Sequence, residues 1–272
     1  MNSLMNGQKL QFNTLIPGMN FTAQNVSLAA WAWIGLALLL LPFILKNKAP
    51  YGRYISSKWG ITIPNKLGWF LMEIISPAML LGSFFWSTQP KSGFAIFLVL
   101  LWCLHYFNRS IIFPLRTKTN GKVIPLTLVL FAIIFNGINA LLNGCYLGNF
   151  TTTPNWNTNE ILRIASGFLI FISGAYINIR SDNILLNLRQ PGESSYKIPQ
   201  GFLFKYISCP NLLGEMIEWI GFAIMAWNIP ALSFAVWTIA NLAPRTFHLH
   251  QWYVANFDNY PQNRKALLPF LW

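Results

Sequence analysis

The chain has 272 residues, of which 54% are hydrophobic and only 10% charged, with a mean hydropathy of +0.43. That balance excludes an ordinary water-soluble domain and points to a membrane protein. The formal net charge of +12 invites a nucleic-acid reading, but the basic residues sit in alternate loops of an apolar chain, so no nucleic acid is expected as a partner.

Seven stretches are long enough to cross the roughly 30 Å hydrocarbon core, which takes about 20 apolar residues in a helix. In chain order they cover 28–45, 68–87, 93–112, 124–147, 161–179, 212–227 and 230–247. Only Asn228, Ile229 and Pro230 join the last two, as a tight helical hairpin. The expected fold class is all-α integral membrane, multi-pass, with one seven-helix domain over 1–272. The first 22 residues hold neither a basic n-region nor a cleavage site, so no signal peptide is expected. Cys103, Cys145 and Cys209, with His105, His248 and His250, have no spacing that reads as a disulfide framework or a metal site.

Charge gives the expected direction. Sixteen of the nineteen basic residues fall after spans one, three and five or in the tail, and only Lys9, Lys91 and Arg163 fall on the other side. By the positive-inside rule the N-terminus is outside and the C-terminus cytoplasmic.

Ionisable groups at membrane depth are costly and ask for a reason. Span two enters from the cytoplasm with Glu73 roughly five residues in, about 7 to 8 Å deep at 1.5 Å per residue. Span three exits with His105, Tyr106, Asn108 and Arg109. Span five exits with Asn178, Arg180 and Asp182, span six enters with Asn211, Glu215 and Glu218, and span seven exits with Asn241, Arg245, His248 and His250. Five helices thus bring polar groups to the cytoplasmic half while the outer half stays almost bare, the expected form of a cavity for a charged, soluble ligand. Glu215 and Glu218, three apart, share a helix face and match the depth of Arg245 and His248, which are their expected partners. The segment 178–206 is expected to be a cytoplasmic loop whose Arg189, Tyr196 and Lys197 flank a Pro-Gly turn and suit phosphate oxygens. With no G-x-G-x-x-G after a strand and no G-x-x-x-x-G-K-[ST], a dinucleotide would have to sit inside the bundle.

Six motifs carry a resemblance: WFLMEI at 69–74, LHYFNR at 104–109, INIRSDNIL at 177–185, LRQPGESSYKIPQG at 188–201, FKYISCPNLLGEMIEWIG at 204–221 and PRTFHLHQWYVANFDNYPQNRKALLPFLW at 244–272. Taken together they resemble the steroid 5α-reductase family from about Trp69 to Trp272. The resemblance implies seven membrane helices, NADPH held on the cytoplasmic side and a steroid cavity toward the membrane. It implies that Glu73 and Tyr106 hydrogen-bond the ketone at steroid position 3. It implies that Asn178, Asp182, Arg189, Tyr196, Asn211, Glu215, Arg245, His248, Tyr253 and Arg264 contact or brace the cofactor, with Glu215 accepting from the nicotinamide amide. Glu218 would balance charge beside it, and Arg109 matches a further family position.

Two departures stand out. The family's run of histidines appears here as His248-Leu249-His250, and its Gly-Gly after Pro-Gln appears as Gly201-Phe202, which is expected to stiffen that loop. The implied reaction is NADPH-dependent hydride addition to position 5 of a Δ4-3-ketosteroid, with Tyr106 and a protonated Glu73 donating to the carbonyl oxygen as negative charge develops there. The implied partners are a lipophilic, steroid-like substrate arriving from the bilayer and membrane lipids, with no obligate protein partner. The membrane would be the inner membrane of a bacterium or the endoplasmic reticulum of a eukaryote. The alternatives are a related reductase of polyprenols, enoyl thioesters or sterol double bonds, or an isoprenylcysteine-methyltransferase-like enzyme. The front-half pair Glu73 and Tyr106 favours a ketone-directed reductase.

Overall fold

The computed structural model describes residues 22–48, 59–118, 121–188, 193 and 195–268. Its elements run α1 (Ala23–Lys46), β1 (Thr62–Pro64), α2 (Asn65–Trp86), α3 (Gly93–Phe107), a π turn (Asn108–Ile112), α4 (Phe113–Arg116) and β2 (Val123–Pro125). After these come α5 (Leu126–Phe150), α6 (Thr158–Asn187), a 3-10 turn (Phe202–Lys205), α7 (Pro210–Ala226) and α8 (Ile229–Asn256). The described structure is overwhelmingly helical. Among the described residues, five segments are long and apolar enough to cross a membrane: α1, α2, α3 through α4, α5 and α6. α7 has 17 residues, and the last turns of α8 are polar.

Local chemistry sets the helix ends. Asn157 caps α6 by accepting from the Glu160 amide at 3.0 Å, and Glu160 reaches back to the Asn155 amide at 2.6 Å, so two orphan donors are satisfied reciprocally. Asn228 caps α8 by accepting from the Ala231 amide at 2.9 Å, with Pro230 in the first turn, where its missing N–H costs nothing. Pro64 and Pro125 stop a two-stranded antiparallel ribbon, in which Ile63 pairs with Ile124, and each strand leads straight into its helix. The ribbon thereby starts α2 and α5 side by side.

Three close helix pairs build the bundle. α2 and α5 run parallel, because Gly144 packs on Leu80 and Gly148 on Phe84 while the Asn136 amide donates to the Met72 carbonyl at 2.6 Å. α1 and α8 also run parallel, tied by the Trp237 indole donating to the Trp33 carbonyl at 2.8 Å and by His248 on the Leu45 carbonyl at 2.9 Å. α6 and α7 are antiparallel along a glycine seam, where Gly167 and Gly174 face Gly221 and Gly214. Small residues let the two backbones touch, which is how helices associate when no hydrophobic drive separates lipid from protein. Between the pairs lies an aromatic core of Trp102, Trp219, Phe222, Phe234 and Phe84.

Several expectations change. α6 continues through Asn187, so Asn178 and Asp182 stand on a helix and not in a loop beginning at 178. α8 likewise runs two turns past 247. The half expected to be almost bare carries buried amides: Asn139 and Asn143 on α5 are each 1% exposed, Asn139 accepting from the Trp33 indole at 3.2 Å and Asn143 donating to the Pro230 carbonyl at 3.1 Å. A reading that follows charge passes over them, because an amide carries none. Phe202 adopts φ +48°, a left-handed conformation that costs a residue with a Cβ about 1–2 kcal/mol. Its ring meets Tyr176 edge-on at 5.9 Å.

The glycine seam makes a prediction. A Cβ at Gly174 would overlap the Glu218 backbone and come within 2.6 Å of the Gly214 carbonyl, whereas one at Gly82 meets nothing within 4 Å. Overpacking costs about 1–3 kcal/mol where side chains can yield, and here the obstacle is backbone. Gly174→Val is therefore expected to lower the thermal midpoint of detergent-solubilised protein sharply, and Gly82→Ala to leave it in place. A wild-type midpoint for Gly174→Val would rule out the seam.

Candidate active site

A cavity of about 330 Å³ opens among α2, the α3–α4 segment and α5 through α8. This size falls within the range of small-molecule sites, about 300–1,000 Å³. Its wall is divided. Leu128, Ala132 and Phe135 of α5 and Phe234 of α8 form an apolar side, while Asp182, Asn211, Glu215, Asn241, Arg245 and Tyr253 form a polar one. Glu73, Tyr106 and Arg109 also line it.

Arg109 organises the polar side. It sits in the π turn, where one extra residue per turn re-aims the side chain, a distortion often found at functional sites. Its guanidinium donates to Asp182 Oδ2 at 3.1 Å and lies over the rings of Trp69 (5.1 Å) and Phe113 (4.8 Å). The Trp69 indole donates in turn to the Arg109 carbonyl at 3.1 Å. Asp182 accepts a second bond, from Asn211 Nδ2 at 3.0 Å, and the Asn178 amide donates to the Asn211 carbonyl at 3.0 Å. The π turn, α6 and α7 are thus joined through one carboxylate.

The expected residues separate into three groups. Glu73, Tyr106, Arg109, Asp182, Asn211, Glu215, Arg245 and Tyr253 line the cavity. Asn178, Glu218, His248, Tyr196 and Arg264 are not among its lining. Glu218 pairs with His105 at 2.9 Å, so Arg245 and His248 are not the partners its spacing implied. His248 turns to α1, and Leu249 occupies the wall beside it. Tyr196 packs on Trp252 at 5.0 Å, under the Lys122 ammonium at 5.6 Å. Arg264 donates to the Pro199 carbonyl at 3.2 Å, reaches Gln200 Oε1 at 3.5 Å and covers the Tyr260 ring at 5.0 Å. Arg189 lies outside the described residues. Trp69, Asn136, Ser208 and Thr238 line the wall unforeseen. Trp69 and Ser208 stood inside quoted motifs without a role, and Asn136 begins the α5 asparagine series.

Beyond the bundle, Ser208 ties the C-terminal strap to the start of α7. Its hydroxyl is 2.7 Å from both His250 Nδ1 and Tyr260 Oη, and Tyr260 stacks on Tyr253 with centroids 5.3 Å apart. Burial pushes the His250 imidazole below its ordinary range, helped by the positive charges of Lys265 and Arg264. Burial also pushes the Tyr260 phenol up. His250 is therefore kept neutral in the folded protein, and the unfolded chain takes up the proton first as pH falls. Stability from this knot is complete above about pH 6.5 and is lost on acidification through the lowered folded value. Limited proteolysis after Tyr253 should accelerate between pH 7 and pH 5, and His250→Gln should flatten that dependence. An unchanged pH profile in His250→Gln would exclude the knot as its origin.

The fold and site together define a helical membrane protein with an amphipathic cavity lined by carboxylates, arginines and two tyrosines. The family model described as 3-oxo-5-alpha-steroid 4-dehydrogenase matches residues 122–272. The 3-oxo-5-alpha-steroid 4-dehydrogenase 2 of Sus scrofa is 41% identical over 241 residues, covering 86% of this chain and 92% of that protein. Its Homo sapiens counterpart is 41% identical over 242 residues, covering 87% and 93%. The Steroid 5-alpha-reductase DET2 of Gossypium hirsutum is 37% identical over 253 residues, covering 88% and 92%. The chain belongs to the 3-oxo-5-alpha-steroid 4-dehydrogenase, or steroid 5-alpha-reductase, family of oxidoreductases.

Proposed function

We propose that this protein reduces the Δ4 double bond of 3-keto-Δ4 steroids to the 5α-reduced 3-ketosteroids, using NADPH. The observation that carries the reading is the placement of Glu73 and Tyr106 in one cavity with both an apolar wall and the polar side formed by α6, α7 and α8. A fused-ring lipid matches the first, and a charged dinucleotide matches the donors and acceptors of the second. Asn211, Glu215, Arg245 and Tyr253 would hold the cofactor, braced by Asn178 from behind. When bound, the cofactor supplies the hydride.

The residues do the remaining work. Hydride addition at position 5 pushes electron density through the conjugated system onto the 3-oxo oxygen, so donors must already stand there, and a proton taken up from solvent at position 4 restores the ketone and completes the product. The Tyr106 hydroxyl and a protonated Glu73 carboxyl are those donors, and a water-poor cavity makes each worth more than in bulk solvent. The indole of Trp102 stacks 5.7 Å from the Tyr106 ring and donates to Ser76 Oγ at 3.0 Å, which limits how far the phenol can swing. Arg109 is paired with Asp182, which fixes its guanidinium in the wall.

The same proposal includes seven spans, an outer N-terminus and a cytoplasmic C-terminus. The parallel α1–α8 and α2–α5 pairs and the antiparallel α6–α7 pair support it, since spans alternating along one chain must show these relative directions. Single cysteines at Thr153 and Asn259, in a protein lacking Cys103, Cys145 and Cys209, should label from opposite sides of oriented vesicles. Labelling from one side would end the seven-span assignment.

The chemical test uses purified protein with NADPH and a panel of 3-keto enes, prenols and enoyl thioesters. Reduction of a Δ4-3-ketosteroid is expected. Glu73→Gln, which keeps a donor, should retain measurable turnover, whereas Glu73→Ala and Tyr106→Phe should each lose about 10² or more. NADPH affinity should barely change in any of the three. Turnover near wild type in both Glu73→Ala and Tyr106→Phe would mean that the carbonyl is activated elsewhere, and product from only a prenol or thioester would reassign the substrate.

A further inference from the structure

One buried polar pair stands behind the cavity wall without touching the cavity. His105 Nδ1 and Glu218 Oε1 are 2.9 Å apart, with side chains only 5% and 3% exposed. Neither residue lines the cavity, yet their neighbours do: Tyr106 follows His105 directly, and Glu215 lies one turn before Glu218. The pair therefore joins α3 to α7 at the level where each helix presents a polar group to the ligand.

Its surroundings are aromatic. The His105 ring meets Tyr106 edge-on at 5.1 Å and Trp219 edge-on at 4.7 Å, while Trp219 lies 6.0 Å from Tyr106. Trp102 closes the box, stacked on Tyr106 and 4.8 Å from Trp219. Removing an imidazole and a carboxylate from water costs several kcal/mol, and well-packed apolar side chains would join two helices at lower cost. The α6–α7 seam does join its helices that way, with glycines. A directional bond at this spot provides what packing does not: it fixes the rotation of the imidazole and, through ring-to-ring contact, that of the phenol. It also offsets the Glu218 charge next to a wall that already holds Glu73, Asp182 and Glu215.

We infer that His105 and Glu218 are positioning residues that hold Tyr106 in line with the substrate carbonyl without touching substrate or cofactor. This rests on the reading of Tyr106 as a carbonyl donor. A displacement of about 1 Å at a reacting group can cost 10² in rate. The cost should fall on kcat and act through Tyr106.

The test compares Glu218→Gln, whose amide oxygen still accepts from the imidazole N–H, with Glu218→Ala, which removes the acceptor. Per folded molecule, Glu218→Ala should lose about 10- to 100-fold in kcat with steroid KM and NADPH affinity little changed, and Glu218→Gln should recover most of it. In a Tyr106→Phe background the same Glu218→Ala change should cost almost nothing further, because contacting residues that act as one unit are not additive. If Glu218→Ala fails to fold, Glu218→Leu, which fills the same space without an acceptor and keeps the His105 ring, replaces it and should show the same loss of kcat. A substrate-free readout separates this inference from the substrate assignment: in protein carrying 3-fluorotyrosine, the ¹⁹F signal missing from Tyr106→Phe should shift or broaden in Glu218→Ala and return in Glu218→Gln. A moved signal in an enzyme that reduces no ketosteroid would sustain the pair and overturn the substrate reading. Where Glu218→Ala folds, unchanged kcat and an unchanged signal would overturn the pair, as would a kcat loss equally large in the Tyr106→Phe background. Where it does not fold, unchanged kcat and an unchanged signal in Glu218→Leu would overturn it.

Discussion

A guanidinium buried in an apolar bundle has to be neutralised where it stands, and the neutralisation of Arg109 organises the rest of the site. The side chain is only 10% exposed, and it is held by Asp182 at 3.1 Å and covered by Trp69 and Phe113. The aspartate is itself buried, and its second oxygen is occupied by Asn211. Each partner exists only because its own backbone is placed for it. The π turn aims Arg109, the last turns of α6 carry Asp182 inward, and the start of α7 delivers Asn211. The α6–α7 glycine seam brings those two helices close enough for the Asn178 and Asn211 contacts to form. Breaking one member of such a chain leaves an uncompensated charge, and for that reason geometry here is set by electrostatics before packing.

The sequence carried much of this, unevenly. Long apolar runs mark α1 to α6 because a helix in lipid has to be apolar over a length set by the bilayer. The runs ending at 179 and 247 understate α6 and α8, since both helices continue once they leave the apolar layer, where hydropathy no longer reports on helicity. The π turn was passed over: Asn108 to Ile112 reads as ordinary helix, and the only local mark is Pro114, which lacks the N–H that a regular helix would use there. Asn136, Asn139 and Asn143 repeat at helical spacing and could have been seen as a buried face, had amides been weighed along with charges.

Convergence was more legible than partnership. Eight of the expected residues, from five helical segments, line one cavity, because a group's level in a bundle follows from its position along its helix. Which group meets which does not follow. Glu218 shares a face with Glu215, yet α-helical spacing of three leaves a rotation of about 60° between them. That rotation turns one carboxylate to the cavity and the other to His105 on α3. His248 and Leu249 divide in the same way: the histidine reaches α1 and the leucine enters the wall. Resemblance carried over residue by residue does not say which residues line a cavity and which stand behind its wall.

Expected site residues that lie outside the cavity lining share a pattern of their own. Asn178, Glu218, His248 and Arg264 each bond backbone or a partner from a different element: α7, α3, α1 and the 199–200 segment respectively. Each bond is nearly dry, so its loss would leave a buried polar atom unsatisfied. A bundle held only by apolar contacts can slide or rotate at low cost, since one lipid-like surface is much like another. Directional bonds between different pairs of elements remove that freedom, leaving the cavity with one arrangement of its donors. Catalysis by carbonyl polarisation has that requirement above others, because a donor is useful only where the charge will appear.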